Sequence, residues 1–212
     1  MARGPFAAGA ANPSANQNRV ETIGDYLERL ASNDPVPGGG SAAALTAAVA
    51  AALTAMVGRI QRPPNEAIVS RADRLRAELV EARRRDEAAY AAVVAAQALP
   101  KRSDEERAAR DDALAATLYE AAEAPLHAAT LALGVLELTD RLIETPMRAL
   151  ASDVGSAAEL AAAAVAACAY NVRVNHRYMH DEPAIREQAV VLDRVERNAS
   201  EVLARVRARL KD

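Results

Sequence analysis

Apolar positions recur along nearly the whole chain at three- and four-residue intervals, and no segment shows the strict alternation of a half-buried strand. Val20, Ile23, Tyr26, Leu27 and Leu30 form one such stripe, predicting a short helix that stops before Pro35 because the residue preceding a proline is biased out of helical conformation. A second helix is expected to begin near Ser41 and continue towards Ile60, ended by Arg62-Pro63-Pro64. A third runs from Asn65 to Leu99, with Ile68, Leu75, Leu79 and Val93 facing inward. Ser103 followed by Glu106 is a capping-box pattern and starts a helix that could reach Glu144, Pro125 marking a kink or a break within it. Ser152 or Asp153 is expected to cap a fifth long helix through Tyr178. The last helix spans Ala184 to Leu210, its apolar side built from Ile185, Val191, Leu192, Val195, Val202 and Val206. The pattern predicts an all-α, antiparallel up-and-down bundle of long alanine-rich helices, one domain over residues 19–212 behind a flexible arm at 1–18.

Composition strengthens that reading. The 212 residues are 51% hydrophobic but only 3% aromatic, with no Trp and one Phe, so Ala, Leu and Val must fill the core. Alanine is the best helix former and lets helices approach closely. Lys and Arg number 26 against 29 Asp and Glu, mixed along the chain to a net charge of −3. The densest basic runs, Arg83–Arg85 and the C-terminal "ARVRARLK", alternate with acids or apolar residues and read as solvated helix faces, so no nucleic acid is expected as a partner. The start of the chain has neither a secretory h-region nor transmembrane length, and the lone Cys168 sits where a small buried residue is expected. A soluble cytoplasmic protein with no membrane association is the expectation.

Candidate chemistry concentrates in few places. "DPVPGGGS", from Asp34 to Ser41, sets two prolines and Gly38, Gly39 and Gly40 at the mouth of the second helix. It is either a tight interhelical turn or a place where an anion meets exposed N–H groups at a helix N-terminus. It lacks the Lys-Ser/Thr pair of a P-loop. Asp86 and Tyr90 lie four apart and share a helix face, as do Asn171 and Asn175. Amides on a face otherwise made of Ala and Val must bind each other, a neighbouring helix or a ligand. Asp153 stands eighteen residues before Asn171, about 27 Å along a helix, and could be simply a cap. His176 and His180 are four apart, but Arg177 stands where a zinc-protease motif needs Glu, and His127 has no catalytic context, so no metal site is expected.

Four motifs, "PVPGGGSAAALTAAVAAALTAMV", "LPKRSDEERAARDDAL", "AAEAPL" and "SDVGSAAELAAAAVAACAYNVRVN", resemble in order and spacing the cyclodeaminase/cyclohydrolase family. That family comprises the C-terminal domain of formiminotransferase-cyclodeaminase and the stand-alone methenyltetrahydrofolate cyclohydrolases. The resemblance covers about Val20 to Leu210 and implies a homodimeric helical enzyme acting on tetrahydrofolate derivatives, with no tightly bound cofactor. A second subunit also suits alanine-rich helices, which bury modest area alone. On this resemblance Asp86 or Asp153 supplies the acid/base group, while Pro37, Gly38, Gly39, Gly40, Ser41, Tyr90, Asn171 and Asn175 contact the folate. Hydrolysis of 5,10-methenyltetrahydrofolate is the leading activity, formiminotetrahydrofolate cyclodeamination the alternative. One departure stands out. Where family members commonly carry a lysine-rich "GKKKY"-like stretch, this chain reads "GRIQRPPNE" from Gly58 to Glu66, and arginine cannot transfer a proton as lysine can. A relative with a changed substrate or no catalysis is therefore a third reading.

Overall fold

The structure, a computed structural model, describes residues 21–143 and 148–211. The expected arm at 1–18, Val20 and Glu144 lie outside them. Six α-helices follow in order: α1 Ile23–Leu30, α2 Gly39–Ile60, α3 Glu66–Gln97, α4 Asp104–Leu142, α5 Ala151–His176 and α6 Glu182–Arg209, with one 3₁₀ turn at Arg148–Leu150 and no strand among the described residues.

Local chemistry fixes most of the boundaries. Thr22 with Asp25 and Ser103 with Glu106 form reciprocal capping boxes on α1 and α4, while Asn65 and Asp181 cap α3 and α6 by accepting from Ile68 and Ala184 N–H. The second helix starts at Gly39, near the expected Ser41, since nothing in the backbone of Gly39 or Gly40 prevents helical geometry. One boundary expectation changes. Neither Ser152 nor Asp153 caps α5; Leu150 does so without a side-chain bond, because the 3₁₀ turn runs straight into the helix and leaves no extended residue from which a side chain could reach back. Of the two readings of Pro125 the break is excluded, since α4 is one helix of 39 residues, about 58 Å, with the proline inside it.

α2 packs on α3, α4 and α5, and α6 closes the bundle against α4 and α5. The core there is built of small residues, Ala43, Ala47, Ala51, Ala129, Ala132, Ala158 and Ala161, around a few large ones such as Leu75, Leu79 and Leu136. Losing one of these leucines leaves a cavity the close-packed alanines cannot fill, so Leu→Ala there costs about 2–5 kcal/mol. A second, smaller core of Ala89, Val93, Leu118, Ala122 and Met179 lies where α3 and α4 run on beyond the start of α2. The seam between the two cores falls beside Asp86 on α3 and Pro125 on α4. α1 contributes only Tyr26 to the interior; Ile23, 74% exposed, and Leu27 face outward instead of sharing its buried stripe. α2 and α5 are long and apolar enough to cross a membrane, yet both pack within the bundle.

Candidate active site

The glycines prove to be spaces for other side chains. A Cβ on Gly40 would lie 2.1 Å from Oδ1 of Asp86, and one on Gly39 would lie 3.2 Å from Nδ2 of Asn171. Without side chains at these positions, the carboxylate from α3 and the amide from α5 close directly onto the first turn of α2. Gly38, the N-cap, is extended and offers no capping side chain. Asp86 takes over that function from across the bundle, with the Ser41 backbone N–H directed at its carboxylate. The anion at this helix N-terminus is thus the protein's own.

Three influences, two against one, set the acidity of Asp86. Burial disfavours its charge and is the largest effect, the Ser41 N–H favours it, and the neighbouring Glu87 disfavours it; the carboxyl is pushed up to about 6. A carboxyl with that value exchanges protons readily near neutrality. Burial also raises the Tyr90 phenol. Behind Asp86 the buried Cys168 thiol is pushed up to about 12, by burial first and by the Asp86 charge second, so it behaves as an inert packing residue.

A cleft of about 190 Å³ opens in front of Asp86, lined by Pro35, Val36, Gly38–Gly40, Tyr90, Ala121, Asn171, Val174 and Asn175. It brings together seven of the ten residues singled out in the sequence. Asn171 bonds back to its own helix, Nδ2 donating to Ala167 O at 2.8 Å, and Asn175 reaches across to α4, Nδ2 donating to Ala121 O at 2.5 Å. The two amides therefore engage backbone rather than each other.

The other three lie elsewhere. Pro37 is buried and does not line the cleft. The Ser41 hydroxyl is fully buried on the opposite side, 3.0 Å from the Tyr26 hydroxyl and donating to Glu87 at 2.9 Å. Asp153, in the first turn of α5, is far along that helix from Asn171 and outside the cleft of its own chain. The replacement arginines are also committed: Arg59 pairs with Asp73, and Arg62 donates to the carbonyls of Arg59, Ile60 and Gln61 at the end of α2. His176 shares a 3.0 Å hydrogen bond with Gln188, and the described residues hold no group of three or more His, Cys, Asp or Glu placed to bind a metal.

Sequence reasoning missed the support behind the site. Glu87 accepts from Ser41, from Arg29 at 2.7 Å and from Arg83 at 3.3 Å, and Arg83 lies 4.8 Å over the Tyr26 ring. This lattice ties α1 to α2 and α3 immediately behind Asp86. The Arg83–Glu87 spacing of four was the only local signal of it.

The family model for formiminotransferase-cyclodeaminase matches residues 22–193, spanning every element that builds the cleft. The chain belongs to that family. Within the family it is 34% identical to the methenyltetrahydrofolate cyclohydrolase of Methylorubrum extorquens, over 82% of this chain and 88% of that protein. It is 31% identical to the formimidoyltransferase-cyclodeaminase of Rattus norvegicus over 74% of its own length, but only 31% of the rat protein. The crystal structure of formiminotetrahydrofolate cyclodeaminase from Thermotoga maritima superposes with a TM-score of 0.81 at 26% identity, covering 90% of this chain and 96% of that one. The family's all-α bundle is thus the fold of this chain.

Proposed function

We propose that this family member hydrolyses 5,10-methenyltetrahydrofolate to 10-formyltetrahydrofolate, with Asp86 as the group that moves the proton. The observation that carries this reading is a half-buried carboxyl, its acidity weakened by burial, at the back of a cleft walled by glycine backbone and two amides. The near full-length similarity to the Methylorubrum extorquens cyclohydrolase selects the reaction.

In the proposed mechanism the cationic methenyl carbon, bonded to N5 and N10, lies in front of the ionised Asp86. Water adds to that carbon as one of its protons passes to the carboxylate. The resulting tetrahedral centre breaks its bond to N5, which takes the pair of electrons and the proton from Asp86. The hydroxyl proton leaves to solvent as the formyl C=O forms on N10. Asp86 returns ionised, and no tightly bound cofactor is required. The same carboxylate favours the cation electrostatically before any proton moves. The cleft is smaller than the ~300–1,000 Å³ of sites that enclose a whole drug-sized ligand, so it suits the ring system around the reacting carbon, the remainder of the folate running over the surface.

A homodimer in the cytoplasm belongs to this proposal. α2 exposes Val49, Met56 and Ile60, with Val49 51% exposed, alongside the half-buried Leu45 and Leu53, and a second copy would cover this stripe. A second reading, cyclodeamination, is favoured by the close superposition on the Thermotoga maritima enzyme. There N10 would attack a formimino carbon and ammonia would leave. The deciding experiment measures loss of the methenyl chromophore above its spontaneous rate, alongside ammonia release from 5-formiminotetrahydrofolate. Acceleration of the first alone supports the proposal; acceleration of only the second transfers the assignment; acceleration of neither leaves the repurposed-member reading.

A further inference from the structure

Pro125 sits in the interior of α4, and a proline there has no N–H to give the carbonyl four residues earlier. That carbonyl belongs to Ala121, which lines the cleft. Its ring also crowds the same oxygen and turns it away from the helix axis. The orphaned acceptor is used: Nδ2 of Asn175, from α5, donates to Ala121 O at 2.5 Å. Only the amide nitrogen can make this bond, so it also settles which way round the side chain lies, leaving Oδ1 as the end that can accept from a ligand. We infer that Pro125 is a positioning residue: by withholding one helical hydrogen bond it presents the Ala121 carbonyl that holds and orients the Asn175 amide in the cleft. The inference deepens the folate reading, on which its kinetic consequences rest, but the anchoring itself is a property of the fold.

Restoring an N–H at this position should return the Ala121 carbonyl to its helix. In Pro125→Ala, Asn175 then loses its acceptor while the helix gains both a bond and a better helix former. A structural role alone would lower stability; the inference instead expects an unchanged or raised thermal midpoint with weaker substrate binding. KM for the folate substrate should rise about five- to tenfold, the scale of one lost oriented hydrogen bond, with a smaller change in kcat. Asn175→Ala should give the same loss, and Pro125→Ala added to Asn175→Ala should cost nothing more, because the proline acts only through the amide.

The direct readout needs no folate. By NMR, the Asn175 side-chain NH2 resonances, assigned by their absence in Asn175→Ala, should exchange slowly with solvent in the native protein and quickly in Pro125→Ala. Persistent protection in Pro125→Ala, or additive losses in the double variant, overturns the inference. If Pro125→Ala does not fold, Asn175→Leu decides: it keeps the size and adds no charge but cannot donate to the Ala121 carbonyl, so the lost anchoring must lower affinity as Asn175→Ala does. Native affinity in Asn175→Leu overturns the inference. A wild type that turns over no folate derivative defeats the functional reading, while the NH2 measurement still decides the anchoring.

Discussion

Asp86→Asn separates what this carboxyl does for the reaction from what it does to the fold. Its pKa moves from the 3.8 of an ordinary aspartate to about 6. The folded chain therefore binds this proton more tightly than the unfolded chain does. Well below pH 3.8 both states are protonated and no penalty arises. Between about pH 4 and 6 the unfolded carboxyl is ionised while the folded one still holds its proton, so the cost grows across that window and levels off above it at roughly 3 kcal/mol, about 1.4 kcal/mol for each tenfold difference in proton affinity between the two states. Asparagine cannot ionise and keeps an oxygen for the Ser41 N–H. Urea denaturation should thus find Asp86→Asn more stable than wild type at pH 8 by about 1–3 kcal/mol and little different at pH 4. At pH 8 its maximal rate on methenyltetrahydrofolate should fall by about 10²–10⁴, the scale of a lost acid/base group. In wild type kcat/KM should fall as pH drops through about 6, where Asp86 becomes protonated. A variant that is destabilised at pH 8, or one that turns over substrate at the native rate, refutes the reasoning.

Three further expectations test other parts of the structure. Gly40→Ala puts a Cβ 2.1 Å from Asp86 Oδ1, so the carboxylate must retreat by about 1 Å or more; activity should drop about a hundredfold with stability within about 1 kcal/mol of native, and a fully active Gly40→Ala protein would remove the need for that close approach. Val49→Glu sets a charge in the exposed stripe of α2 and should convert a dimer to monomer in sedimentation measurements; a wild type already monomeric at micromolar concentration sinks the dimer proposal. Cys168, buried and pushed up to about 12, should react with a thiol reagent at pH 8 only as fast as the chain opens, and prompt modification of the folded protein would contradict its placement.

Helix type and order were legible because capping residues and apolar periodicity act locally. Ser103 with Glu106 and the stop at Arg62-Pro63-Pro64 are read from neighbours in sequence, and the structure keeps both. Apart from the α5 cap, lost to the 3₁₀ turn before it, what could not be read was decided by contacts across the bundle. The glycine triplet was readable as a place of close approach, but the groups that approach it, Asp86 and Asn171, come from helices distant in sequence. Spacing placed Asp86 with Tyr90 and Asn171 with Asn175 as two pairs, and only the family resemblance implied that the pairs share one site, as they do in the cleft, whereas the Ser41 hydroxyl is drawn away by Tyr26 and Glu87. Pro125 could be read only as a kink or a break because the donor that satisfies Ala121 lies 54 residues away.

The occupation of the α2 N-terminus by Asp86 bears on how a catalytic cycle ends. A helix start that received an anionic substrate would hold an anionic product equally well. Here the fixed negative charge is internal, and the molecule that reacts in front of it loses its positive charge in the act of reacting. Under the proposed mechanism the attraction that gathers the methenyl cation would vanish once the formyl product forms, so the charge change itself would favour release of the product. The electrostatic contribution to that discrimination should shrink as Asp86 becomes protonated on the acid side of pH 6, where substrate and product would be held more nearly alike.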